Sequence, residues 1–311
     1  MIKFNNRIGE ININNQGLKM KIINYRGAMD IDIQFEDNYI TYNRKYEDFK
    51  KGRIKNPNYY SKNRIKETNY NNYGSKMTII EYNNSKDIVV EFENGYKTKS
   101  RYSHFKEGKI KSPYDKTIYG VACLGEGKYK TTINNKRTIQ YKYWHSMLIR
   151  CYDKKFKQNN PTYKDVTCCE EWLNFQNFAK WFDDNYYEVE GEKIHLDKDI
   201  LVKGNKIYSP KTCCFVPERI NKLFEKTNIT VNKGTFKSNK KYASRCNITD
   251  SYGNNKTIYL GIYNTIEEAN KSYIDYKKNY IKNVANSYKY VIPTYVYNSI
   301  IKWLTVMDRI R

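Results

Sequence analysis

Nothing in this 311-residue chain reads as a membrane span, since no apolar run approaches the ~18–20 residues that a bilayer core requires. Its first residues, MIKFNNRIGE, lack the apolar stretch of a secretory signal. No membrane partner is expected, and a cytoplasmic location is. Carboxylates are scarce: 33 Asp and Glu face 56 Lys and Arg, a formal net charge of +23. Apolar material is limited too, with 39% hydrophobic residues and a mean hydropathy of −0.89. That predicts several small cores joined by polar connectors rather than one large one. Histidine is confined to His104, His145 and His195. Seven cysteines include the adjacent pairs Cys168-Cys169 and Cys213-Cys214 but no CxxC ribbon. Without a secretory signal, reduced thiols are expected rather than a disulfide framework.

What the chain has in quantity is aromatic: 32 Tyr, 12 Phe and four Trp, with Lys and Tyr interleaved almost throughout. A disordered basic tail would be poor in aromatics. An AT-rich genome would supply Lys, Asn, Ile and Tyr in this abundance, but the resulting field remains and favours a polyanion, because each neutralised phosphate releases counterions.

The first 115 residues hold an internal repeat. Lys19, Met20, Ile22, Ile23, Tyr25, Asp30, Phe35, Glu36 and Tyr39 recur 57 residues later as Lys76, Met77, Ile79, Ile80, Tyr82, Asp87, Phe92, Glu93 and Tyr96. Gly52, Ile54, Lys55 and Pro57 recur at an offset of 56 as Gly108, Ile110, Lys111 and Pro113. Asp30-Ile31-Asp32-Ile33-Gln34-Phe35 alternates polar and apolar, the pattern of half-buried antiparallel strands. Two small β-barrel-like repeats are predicted, over residues 1–57 and 74–116, with 58–73 as a linker.

From Tyr141 the period becomes helical. Tyr141, Trp144, Leu148 and Cys151 form one apolar stripe, and Trp172, Phe175, Phe178, Ala179 and Phe182 form another, with Pro161 breaking the chain between them. IHLDKDILV and CCFV read as strands, the second running into a helix with Ile220, Leu223 and Phe224. Beyond Gly234 come strands near 242–248 and 257–263. A helix then opens on the capping box Thr265-Ile266-Glu267-Glu268. The fold class predicted is α+β and multi-domain: two β-rich repeats, a helical and ββα core over 117–228, and a three-stranded sheet plus helix over 229–311.

The motifs WHSMLIRCY, PTYKDVTCCEEWLNFQNFAKW, LDKDILVKGNKIYSPKTCCFVPERIN and YLGIYNTIEEA, in this order, resemble phage-encoded HNH homing-endonuclease-like proteins. The resemblance covers about half the chain. It implies a ββα hairpin-helix holding one divalent cation, Mg²⁺ or Mn²⁺, that stabilises the leaving oxygen during phosphodiester cleavage. Laid on that pattern, Asp197 falls on the aspartate before the general base, Asn205 in the central loop and Asn221 at the terminal polar position. Lys198 stands where the catalytic histidine belongs. His195 precedes Asp197 by two residues, so both share one face of a strand. His195, Asp197, Asp199 and Asn205 are the candidate catalytic set, with Asp197 and Asn205 as metal ligands. A surface strand with charges in solvent fits the same alternation.

Cys151, Cys169 and Cys213, with His145, would make a Cys₃His zinc site if they converge. Buried reduced cysteines acting as small apolar residues fit their irregular spacing as well. The C-terminal segment resembles the APETALA/ethylene-response-factor type of DNA-binding domain. The resemblance rests on Lys241-Tyr242, Leu260-Gly261-Ile262-Tyr263, Thr265 to Ala269 and Tyr273. It implies a sheet that enters the major groove, with Lys240, Lys241, Arg245, Lys256 and Tyr259 as contact residues and Arg245 as the bidentate base reader.

The expected function is DNA binding with HNH-like, metal-dependent endonuclease activity in a bacterial host cytoplasm. The departure at Lys198 motivates a second expectation: an inactive nuclease scaffold that binds DNA or inhibits a host nucleic-acid-dependent defence machine, with a host protein complex as partner. RNA binding is a third, because interleaved aromatics suit single strands.

Overall fold

The computed structural model describes residues 7–59, 64–225, 234–238, 241–250 and 253–307. The chain divides into two compact units, Met1–Asp115 and Lys116–Arg311.

The first unit contains the two repeat copies. In copy one, β1 (Ile11–Ile13), β2 (Lys19–Gly27), β3 (Asp30–Phe35) and β4 (Ile40–Arg44) form an antiparallel meander in the order β1-β2-β3-β4, followed by α1 (Tyr46–Lys50). Copy two repeats it as β5 (Thr68–Tyr70), β6 (Lys76–Asn84), β7 (Asp87–Phe92), β8 (Lys97–Ser100) and α2 (Tyr102–Lys106). The alternation works as read. Met20, Ile22, Ile31, Ile33 and Phe35 pack with Phe49 and Ile54, and their counterparts Met77, Ile79, Ile88, Val90 and Phe92 pack with Phe105 and Ile110.

Among the described residues neither copy is a closed barrel; each is an open sheet with one covered face. Period-two alternation is satisfied equally by a one-sided sheet, and here a short helix and the segment after it cover the apolar side. The stretch expected to be a linker contains β5. The pseudo-symmetry extends into it: Lys66 N–H donates to Ile79 O at 2.8 Å, as Gly9 N–H does to Ile22 O at 2.8 Å.

Each copy ties its first strand to its helix through asparagine. Asn12 Nδ2 donates to Phe49 O (2.7 Å) and Asn14 Nδ2 to Ile54 O (2.9 Å). In copy two, Asn69 donates to Phe105 O (2.7 Å) and Asn71 to Ile110 O (3.1 Å). These amides satisfy carbonyls that a helix end leaves open. The chain passes so close here that only glycine fits. Gly52 and Gly108 have φ of +65° and +67°. A Cβ on Gly108 would meet Asn72 Oδ1 at 2.7 Å and Tyr70 O at 3.0 Å. Gly108→Ala is expected to destabilise the unit by about 2 kcal/mol, from left-handed backbone strain plus that contact. Urea denaturation checks it, and an unchanged midpoint would contradict the close approach.

Copy one alone pairs a buried acid with an arginine. Arg26 Nη1 and Nη2 donate to the two carboxylate oxygens of Asp32 at 2.7 Å each, and Asn43 N–H adds a bond at 3.1 Å. Copy two has Asn83 and Val89 at these positions. The Arg26 guanidinium holds the Asp32 carboxyl down at about 2. A depressed folded pKa stabilises above the unfolded value and loses that stabilisation as pH falls through the folded one. Between pH 5 and 2, Asp32→Asn is therefore expected to flatten the acid limb of the unit's stability. Urea midpoints across that range measure it, and curves that stay parallel to those of the unchanged chain would contradict it.

The second unit opens with a hairpin, β9 (Thr132–Ile133) and β10 (Lys136–Arg137), then α3 (Ile139–Tyr152) and α4 (Lys154–Asn159). Strand β11 (Thr167–Cys168) leads through a 3-10 turn at Glu170–Leu173 into α5 (Phe175–Asn185). Next come β12 (Ile194–Asp197), β13 (Ile207–Tyr208), β14 (Cys214–Pro217) and α6 (Glu218–Glu225); β12 pairs antiparallel with β14, and β13 pairs parallel with β11. The three-stranded sheet β15 (Thr235–Ser238), β16 (Lys241–Thr249) and β17 (Asn255–Tyr263) precedes α7 (Ile266–Ser287) and α8 (Thr294–Met307).

Strand β14 separates two cores. Phe215 joins Trp144, Leu148, Trp172, Phe178 and Phe182 on one side. Cys214 and Val216 join Ile220 and Leu223 on the other, with Ile281 and Val284 of α7 and Val296 and Ile300 of α8. An apolar core thus spans the boundary expected near residue 228. The reason is length: a 22-residue helix is about 33 Å long and overruns the sheet behind which it starts. Among the described residues no helix is long and apolar enough to cross a membrane.

Candidate nucleic-acid interface

Strand parity sorts the side chains of the C-terminal sheet. On β16, Ser244 and Cys246 face inward, Cys246 packing with Tyr273 and Ile274 of α7. Lys241, Arg245 and Asn247, which are exposed, lie on the opposite face. Their neighbours on β17 follow from the register, Arg245 opposite Tyr259 and Asn247 opposite Thr257, with a bulge between Ser244 and Arg245. Tyr259 is 58% exposed and Phe236, on β15, is 42% exposed. The Arg245 guanidinium lies 5.1 Å from the centre of the Phe236 ring, and Thr257 Oγ1 donates to Asn247 Oδ1 at 2.9 Å. The outer face thus holds an arginine resting on an aromatic, a lysine, a hydrogen-bonded Thr–Asn pair, a second aromatic and the exposed Ile262 opposite Ala243.

The helix behind the sheet fixes this face. Tyr280 Oη donates to Thr249 O at 2.8 Å and accepts from Thr249 N–H at 3.0 Å, pinning the end of β16 to α7. Gly234 N-terminal to β15 sits with φ +84°, and a Cβ there would meet Arg245 O at 2.6 Å. Thr265 and Glu268 make the predicted capping box at the start of α7.

Of the residues expected on this face, Lys241, Arg245 and Tyr259 are there. Lys256 is in register with Ile248, on the helix-facing side, and pairs with Asp250 at 2.9 Å. Lys240 lies outside the described residues. Phe236, Asn247 and Thr257 belong to the face and were missed. The odd-numbered alternation through KYASRCNIT locates Asn247, whereas Phe236 and Thr257 depend on strand register.

The hairpin and helix expected around Asp197 are present as β12, β14 and α6. His195 and Asp197 share one face of β12, since the alternate residues Ile194 and Leu196 are buried on the other. The Asp197 carboxylate and its loop neighbours nevertheless make bonds within the loop. Asp197 Oδ1 accepts the N–H groups of Asp199 and Ile200, both at 2.7 Å, and burial pushes its carboxyl above the ordinary range. Asn205 Nδ2 donates to Lys198 O (2.9 Å) and Ile207 O (2.7 Å). The buried Lys198 ammonium donates to Asp199 Oδ2 at 2.6 Å and Asn205 O at 3.0 Å.

A divalent ion needs several free oxygen donors converging on one point. Here Asp197 Oδ1 is taken by backbone N–H groups, Asn205 closes its own loop through Nδ2 and Oδ1, and Asp199 Oδ2 meets the Lys198 ammonium. The donor set does not fit Mg²⁺ or Mn²⁺ as arranged, because Lys198 supplies the loop's positive charge itself.

The zinc set does not fit either. His145 lies against the rings of Tyr119 and Tyr141, with centroids 6.3 and 5.7 Å away. Cys151, six residues further along α3, turns to another side of the helix. Burial in the shared apolar core pushes the Cys151 thiol up to about 12 and raises the Cys213 thiol as well. Cys169 is held down at about 7 by its hydrogen bond with Cys168. No group of three or more His, Cys, Asp or Glu side chains suited to a metal ion occurs among the described residues. Comparison with protein-family models, with curated proteins and with solved structures yields no match for this chain.

Proposed function

We propose that this protein binds DNA through the outer face of the β15-β16-β17 sheet, on a hairpin-helix scaffold that does not cleave it. The supporting observation is the composition of the outward face: Lys241, Arg245, Asn247, Thr257 and Tyr259 are presented there beside the apolar Phe236 and Ile262, while Ser244 and Cys246 turn toward α7. Such a surface offers phosphate contacts, hydrogen-bonding groups for base edges and apolar contact for thymine methyls. The net charge of +23 adds the long-range attraction. Lys198, in the place of the catalytic histidine and bonded to Asp199 and Asn205, supports a scaffold without catalysis.

The test is supercoiled plasmid with Mg²⁺ or Mn²⁺, resolved for both mobility shift and nicking. The expected result is a shift without nicks, retained by Asp197→Asn. Nicking that disappears in Asp197→Asn would restore the endonuclease reading and sink this one.

A further inference from the structure

Immediately before and within the first turns of α3 the chain carries a run of cations with no acid among them. From Gly127 to Tyr152 there is no Asp or Glu, while Lys128, Lys130, Lys136, Arg137, Lys142 and Arg150 fall in the same stretch. Part of it is the β9-β10 hairpin, in which Lys136 pairs with Ile133 and Arg137 with Thr132. Its turn residues Asn134 and Asn135 have φ of 48° and 59°. Positive φ at both is the geometry that matches the twist of a two-residue hairpin. All six residues from Thr132 to Arg137 are exposed.

The foot of this finger is firmly held. Thr138 N–H donates to Thr131 O at 3.0 Å, and Thr138 Oγ1 donates to Lys130 O at 2.9 Å while accepting from Tyr141 N–H to cap α3. Gln176 clamps Tyr129 from both sides, accepting from its N–H at 3.0 Å and donating to its carbonyl at 2.9 Å. Arg137 lies over the Tyr141 ring and Lys128 over the Tyr129 ring, contacts that leave their charge unneutralised. Among the described residues no ion pair involves Lys128, Lys130, Lys136 or Arg137, whereas Lys51, Lys97, Lys106 and Lys109 of the first unit are each paired with a glutamate. Asp183, the carboxylate beside Tyr129, accepts from Gln140 at 2.8 Å.

A two-stranded ribbon is a size that the major groove of duplex DNA admits. Cations without a carboxylate partner on a pre-ordered finger favour phosphates, because little ordering cost is left for binding. We propose that the hairpin over residues 128–138 is a second duplex-DNA contact, distinct from the sheet face, with Lys130, Lys136 and Arg137 on phosphates. It rests on the DNA-binding reading only in sharing its ligand.

The experiment titrates a short fluorescent duplex with the full chain over a series of salt concentrations. It compares the unchanged protein, the triple variant Lys130→Ser/Lys136→Ser/Arg137→Ser, and the sheet variant Lys241→Ala/Arg245→Ala. The triple variant keeps Asn134, Asn135 and Thr138, and an unchanged melting curve verifies its fold; Lys136→Arg is a second variant that should bind normally. The expected result is affinity about tenfold or more weaker for the triple variant, with the log–log salt slope reduced by about two to three. Unchanged affinity and slope in the triple variant, with loss in the sheet variant, would overturn the hairpin contact alone. Loss in the triple variant with none in the sheet variant would support the hairpin and remove the sheet-face reading. No duplex binding by the unchanged chain, or equal loss of binding to an acidic polypeptide instead of DNA, would overturn the hairpin as a DNA contact.

Discussion

Phe215→Ala is expected to lower the stability of the second unit by about 3–5 kcal/mol, the range for removing a large aromatic from a packed core. The Phe215 ring sits 5.6 Å from Tyr143, 5.2 Å from Trp181, 5.1 Å from Phe182 and 5.3 Å from Tyr186, centroid to centroid. Its strand is the wall between two cores, so a cavity on one face loosens the support of Cys214 and Val216 on the other. For a unit of this size the loss corresponds to a melting temperature lower by roughly 10 °C. Calorimetry checks it, with the Met1–Asp115 transition expected to stay in place. A shift of only a degree or two would mean that the aromatic cluster closes over the gap and that β14 is not the central wall.

The second large effect falls on binding. Lys241→Ala/Arg245→Ala is expected to weaken duplex DNA binding on the order of 100-fold, combining one phosphate contact with one arginine that reads a base edge. Both side chains are exposed and neither supports the core, so thermal stability should barely move. Arg245 leans on Phe236, so Phe236→Ala should reproduce part of the loss by releasing the guanidinium from its ordered position. Anisotropy titrations decide this. An affinity within a factor of two of the unchanged chain would leave the sheet face without a role.

The repeat units and the C-terminal sheet were legible because their residues carry local patterns. Period-two alternation gave the buried set of each copy, and the capping box at Thr265 marked the start of α7. Three features were not legible, each for a physical reason. CCFV shows no alternation because both faces of β14 are buried. Asn69 and Asn71 look like loop residues, yet they serve as the side-chain ties of an edge strand. Lys256 looks like a member of the basic face, but strand parity and pairing register, which sequence leaves open, turn it toward Asp250.

The candidate catalytic residues teach the same lesson. His195 and Asp197 do share a strand face, as spacing predicts. What spacing cannot show is that the backbone of Asp199 and Ile200 takes up the Asp197 carboxylate, and that the ammonium of Lys198 fills the loop. Motif resemblance locates a scaffold; hydrogen-bond use determines what the scaffold has left to offer.

The most direct measurement of the central claim is a titration of the isotopically labelled full chain with duplex DNA, followed by its backbone amide resonances. The account predicts that Lys241, Arg245, Asn247, Thr257 and Tyr259 shift progressively while Asp197, Asp199 and Asn205 do not respond to added Mg²⁺. DNA-induced shifts that bypass the β16-β17 face, or Mg²⁺-induced shifts centred on Asp197 and Asn205, would contradict it.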